Sequence, residues 1–158
     1  MPTGDRLLSF IDYLESAVQS STGDEDQSRT IMVGAFEGWN DAGSAATDTV
    51  NKLIDLLDAE FIGRLGEQTY YDYQFHRPII TRRDGGRPIV FWPQVDFYLA
   101  DLKTKDDRQW ELILFKGPEP NFKWQEYCAE ILTVGADHNA EGLILLGAYL
   151  DAVPHTRP

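Results

Sequence analysis

The chain has 158 residues, 42% of them hydrophobic and 25% charged, with a net charge of −12 at neutral pH. Folding at this length buries roughly 68–70% of the surface, so one domain with its own core is expected and disorder throughout is excluded. The acidic balance argues against nucleic acid and anionic membranes as partners, and the single cysteine, Cys128, excludes an internal disulfide.

The chain opens with Leu7, Leu8, Ile11, Leu14 and Val18 at helical spacing, widened by Phe10 and Tyr13. An amphipathic helix over 5–19 is expected, then the polar, acidic linker "QSSTGDEDQS". Residues 1–29 thus form an N-terminal extension to an α/β domain over 30–158. No apolar run approaches the roughly 20 residues of a membrane span, and "MPTGDRLLSF" has no signal-peptide core, so a cytoplasmic protein is expected.

"TIMVGAF" (30–36) reads as a strand buried on both faces. Ser44 is placed to cap the following helix, whose stripe is Val50, Leu53, Ile54 and Leu57. "EFIGRLG" is a second strand, which completes a βαβ unit with a right-handed crossover. "PIITRRDGGRPIVFWP" (78–93) reads as a hairpin turning at Asp84-Gly85-Gly86, and "QVDFYLADLK" alternates like a further strand. This section makes the sheet mixed. "WELILFKG" is a strand, and "EPNFKWQEYCAEILTVG" a helix capped by Asn121 and stopped at Gly135. Cys128 lies in that helix as a buried structural thiol. "GLILLGAYL" is the last strand; no covering helix follows, and a longer parent domain is expected.

Three loops follow three strands expected to be parallel: 37–43, 117–121 and 151–158. Ligands of open α/β sheets bind beyond the carboxyl ends of the strands. The candidate cleft residues are therefore Glu37, Trp39, Asn40, Asp41, Gly43, Ser44, Glu119, His155 and Arg157. "GAFEGWNDAGS" matches no phosphate-binding glycine motif, and its acids would repel an anion. The acids complement a helix dipole instead. No HExxH or GxSxG spacing exists, so neither a metal nor a cofactor is expected, and no catalytic residue is assigned. A pair between Arg157 and Glu37 or Asp41 would set loop geometry without chemistry. Trp39, Trp92 and Trp124 suit packing or a protein interface.

"GAFEGWNDAGSAA", "RPII", "GPEPNFKW" and "VPHTRP", in this order, resemble the bacterial branch of the proteasome assembly chaperone two family. The resemblance implies a three-layer α/β/α sandwich with a mixed sheet, similar to nucleoside phosphorylases and peptidyl-tRNA hydrolases. It implies a homo-oligomer, with a trimer as the form to test, and proteasome subunits as partners by analogy. It further implies a parent about twice this length, continuing past "PHTRP". The hydrophobic–tyrosine–any tail of the chaperones does not stand at Thr156-Arg157-Pro158. A non-enzymatic, chaperone-like binding protein is the reading. Its rival is a nucleoside- or phosphate-type enzyme or ligand-binding protein in the same cleft, with His155 as acid or base and the Gly43–Ser44 helix start as anion site.

Overall fold

The computed structural model describes residues 29–66, 68–82, 86–104 and 107–152. The expected N-terminal helix and acidic linker lie outside these residues, as do Asp84 and Gly85 of the expected hairpin turn and residues 153–158 of the last loop. The strands are β1 (Arg29–Glu37), β2 (Glu60–Leu65), β3 (Ile79–Thr81), β4 (Ile89–Phe91), β5 (Val95–Lys103), β6 (Gln109–Pro118) and β7 (Gly142–Leu146). The helices are α1 (Ala45–Leu56) and α2 (Trp124–Asp137).

Five strands form one mixed sheet in the order β2-β5-β6-β1-β7, and β3 pairs with β4 apart from it. β1 is parallel to both β6 and β7, while β5 is antiparallel to β6 and to β2. Four strands therefore run in one sense and β5 opposes them. The β1–α1–β2 unit forms, but its strands are not neighbours: β6 and β5 lie between them. Edge position explains why the β2 residues are mostly exposed.

The two faces of the central strands bury different sets, as the period of two along a strand requires. Ile31, Val33, Ala35, Leu112 and Leu114 pack with Ala46, Val50 and Leu53 of α1. Met32, Ile113, Phe115, Val95 and Phe97 pack with Tyr127 and Ile131 of α2 on the other face. The result is an α/β/α sandwich with one helix on each side. Within it, the Phe115 ring crosses Gly34, its register partner in β1, so closely that a Cβ there would lie 2.2 Å from the ring. Phe36 and Phe97 flank the same ring at centroid distances of 5.8 and 5.7 Å.

α2 corrects three sequence expectations. Tyr127, Ile131 and Gly135 are its buried positions, one per turn, so Cys128 falls beside that stripe and is exposed. Gly135 is not the stop; the helix runs to Asp137, and a Cβ on Gly135 would sit 2.4 Å from the Met32 sulfur. Asn121 does not cap α2. Its side-chain oxygen accepts the Asp72 amide at 2.8 Å, and its own amide donates to the Tyr70 carbonyl.

Candidate functional site

Because β6, β1 and β7 are parallel neighbours, the loops that follow them emerge at one sheet edge. Backbone bonds join these loops. The Ala148 amide donates to the Asn40 carbonyl at 2.6 Å, and the Ala42 amide to the Ala148 carbonyl at 3.0 Å. The Glu119 amide donates to the Glu37 carbonyl at 3.4 Å. Glu37, Trp39, Asn40, Asp41, Gly43, Ser44 and Glu119 thus share one edge. His155 and Arg157 lie outside the described residues.

Asp41 has a specific structural task. One carboxylate oxygen accepts the Ala46 amide at 2.8 Å and the Thr47 amide at 3.2 Å, and the other accepts the Thr47 hydroxyl. These are amides of the first turn of α1, which have no partner within the helix. A carboxylate there satisfies them and complements the positive end of the helix dipole. Ser44 was expected to cap this helix. Its backbone is left-handed (φ 58°) and its side chain makes no capping bond. The cap comes from three residues earlier because a short 3-10 turn, Ala42–Ser44, intervenes and swings the chain round. Asp41 already occupies the amides that the Gly43–Ser44 anion site would offer.

Trp39, one residue after Gly38, is 90% exposed, and Tyr149 and Leu150 in the joined β7 loop are 81% and 88% exposed. Gly38 (φ 130°) runs close to the Glu119 carboxylate, with Oε2 3.7 Å from where a Cβ would stand.

Beneath this edge lies an aromatic layer that sequence reading passed over, although "YYDY" (70–73) signals it. Tyr70 and Tyr127 meet edge to face at 5.4 Å. The Tyr70 hydroxyl donates to Glu130 at 2.6 Å, and the Tyr127 hydroxyl donates to the Pro118 carbonyl at 2.8 Å. The buried Tyr71 hydroxyl has no hydrogen bond of good geometry. Burial pushes the Tyr71 phenol up to about 12, helped by the negative charge of Glu37 and opposed by the nearby Tyr127 hydroxyl. Burial raises Tyr127 further still, with Tyr71 as the next cause. Both phenols are therefore neutral over the ordinary pH range and act as packing and hydrogen-bonding groups.

The histidines within the described residues stand apart. His76 meets the Tyr71 ring edge to face at 5.8 Å, and His138 lies 3.5 Å from Glu111. No group of three or more His, Cys, Asp or Glu among the described residues is arranged to hold a metal ion. A groove of about 450 Å³ lies between β2, β5 and the C-terminal half of α2, lined by Arg64, Phe97, Glu130, Asp137 and His138 among others; no strand-end loop residue lines it. Among the described residues, no helix is long and apolar enough to cross a membrane.

The model of the PAC2 family matches residues 35–158, from the end of β1 through the joined loops and beyond. The chain belongs to the PAC2 family. A PAC2 family protein from Streptomyces avermitilis is similar in structure, with a TM-score of 0.74 and 36% identity over 82% of this chain and 54% of that one. The Mycobacterium tuberculosis proteasome-assembly chaperone homologue gives a TM-score of 0.73 and 39% identity over 81% of this chain and 53% of that one. A Corynebacterium glutamicum protein of unknown function follows at 0.67 and 25%, covering 87% and 49%. The chain spans about half the length of these relatives. No functionally curated protein matches the sequence.

Proposed function

We propose that this PAC2 protein is a non-enzymatic, self-associating binding protein of the assembly-chaperone kind, acting in the cytoplasm through its strand-end edge. One observation carries the reading. Trp39, Tyr149 and Leu150 project from two loops stitched together by backbone bonds, while the Asp41 carboxylate beneath them is taken up by helix capping. Large aromatic and apolar side chains on a rigid frame are the usual anchors of protein interfaces. Glu37, Asn40, Gly43, Ser44 and Glu119 form the polar rim in this reading, and His155 and Arg157 complete it. The partner class follows from the Mycobacterium tuberculosis relative, described as a proteasome-assembly chaperone homologue. Proteasome subunits are accordingly the partners to test, and a trimer the self-assembled form.

The experiment is binding of purified proteasome subunits to the chain and to Trp39→Ala and Leu150→Ser variants. An anchor loss of about 2 kcal/mol weakens binding by more than tenfold without changing stability. Equal binding by wild type and variants overturns the reading. A thermal-shift screen with nucleosides, nucleotides and phosphate is expected to show no stabilisation. A ligand at a hundred times its Kd adds about 2.7 kcal/mol, and such a gain would favour the small-molecule rival instead.

A further inference from the structure

The β3–β4 hairpin is built in a way the sandwich does not explain. Ile79 pairs with Phe91, Ile80 with Val90 and Thr81 with Ile89. Side chains alternate between faces along a strand, so one face carries Ile79, Phe91 and Ile89, and the other carries Ile80 and Val90. Both faces are apolar and both are open: Ile79 is 69% and Ile80 68% exposed. None of these residues belongs to either core cluster. At its base, Trp92 packs on Tyr73 at 5.0 Å, which fixes where the hairpin leaves the body. A two-stranded hairpin alone is marginal in water, and a two-sided apolar one calls for a partner surface.

Charge indicates what that surface is. The segment 77–93 carries four arginines and one aspartate, in a chain of net charge −12. Arg77, Arg82 and Arg87 form no ion pair among the described residues. The complement is present on this chain. Where α1 passes into β2, at the sheet edge opposite β7, Leu56, Phe61 and Ile62 are exposed beside Asp55, Asp58 and Glu60. These three acids likewise form no ion pair among the described residues.

We infer that the β3–β4 hairpin is a docking arm for a second copy of this chain, seating its apolar faces and arginines on the partner's acidic α1–β2 corner. Arm and corner are different surfaces, so copies either exchange arms reciprocally in a two-fold dimer or link head-to-tail into a ring or filament, according to the rotation between them. The inference deepens the self-association proposed above by naming its surface, and it does not involve the Trp39 edge.

The test is mass in solution by light scattering after size exclusion, across a range of concentrations. Wild type is compared with Ile80→Ser, Arg82→Glu, Asp58→Arg and the double swap Arg82→Glu with Asp58→Arg. All three positions are exposed or at the surface of the hairpin, so folding should survive, and urea unfolding of each variant checks this. The expected result is a discrete wild-type oligomer, an apparent dissociation constant raised roughly tenfold or more by each single variant, and recovery in the double swap. An oligomer unaffected by the hairpin variants overturns this inference while leaving self-association standing. A monomeric wild type at every concentration overturns both. Weakening by Arg82→Glu without recovery in the double swap refutes the corner as the receiving surface.

Discussion

Removing the Asp41 carboxylate tests the central geometric claim, that this residue and not Ser44 starts α1. In Asp41→Ala, the Ala46 and Thr47 amides lose their acceptor and the buried Thr47 hydroxyl keeps only a long contact of 3.4 Å to the Ser44 carbonyl. Loss of an N-cap costs about 0.5–2 kcal/mol. The stranded polar groups of Thr47 add about 1 kcal/mol. A total of about 1.5–3 kcal/mol corresponds to a fall in Tm of roughly 3–12 °C at this length. Asp41→Asn keeps one oxygen for the Ala46 and Thr47 amides, but its NH2 cannot accept the Thr47 hydroxyl. The charge at the helix start is lost as well, so the cost should exceed that of the charge alone, about 0.3–1 kcal/mol, and fall short of that of Asp41→Ala. Ser44→Ala removes no capping bond and should stay within about 0.5 kcal/mol of wild type. Urea unfolding with an unchanged m-value gives the ranking directly. A loss in Ser44→Ala equal to or greater than that in Asp41→Ala would refute the argument.

Gly34→Ala drives a methyl into the Phe115 ring and should cost about 2–3 kcal/mol; Phe115→Leu in the same chain should relieve part of it, read as a coupling energy in a double-mutant cycle. Tyr71→Phe deletes a buried hydroxyl without a partner and should be neutral or stabilising. Tyr127→Phe strands the buried Pro118 carbonyl and should cost about 1–3 kcal/mol, so the two urea midpoints move apart. Both phenols have folded pKa values raised above their unfolded value of 10, so the fold favours their neutral forms. Their contribution is whole below pH 10 and is lost as pH climbs from there through about 12. Stability should fall between about pH 10 and pH 12, and Tyr71→Phe should flatten that slope.

The pattern of elements was legible because it is local. "TIMVGAF" and "WELILFKG" are continuous apolar runs, and they became β1 and β6, the two central strands buried on both faces. Val50 and Leu53 at helical spacing became the buried side of α1, and the paired runs around "RRDGG" became β3 and β4. Parallel β6, β1 and β7 also follow from this reading, since a helix or longer crossover separates each from the next strand it joins. Mixed character was legible too, from the alternating β5 segment.

Tertiary structure decided what depends on partners far apart in the chain. Insertion of β5 and β6 between β1 and β2 has no local signature, because strand order is settled by which faces bury together. Cys128 is exposed because the helix turns Tyr127 and Ile131 to the sheet, and one residue of offset is about 100° of rotation. Asn121 has the right chemistry for a cap, yet it serves the Asp72 amide from 49 residues away. Asp41 replaced Ser44 because the intervening 3-10 turn aims a longer carboxylate, rather than a serine hydroxyl, at the free amides. Composition and periodicity determine which segments become strands and helices, since burying apolar surface demands it. Which polar group meets which is determined only once those segments have packed.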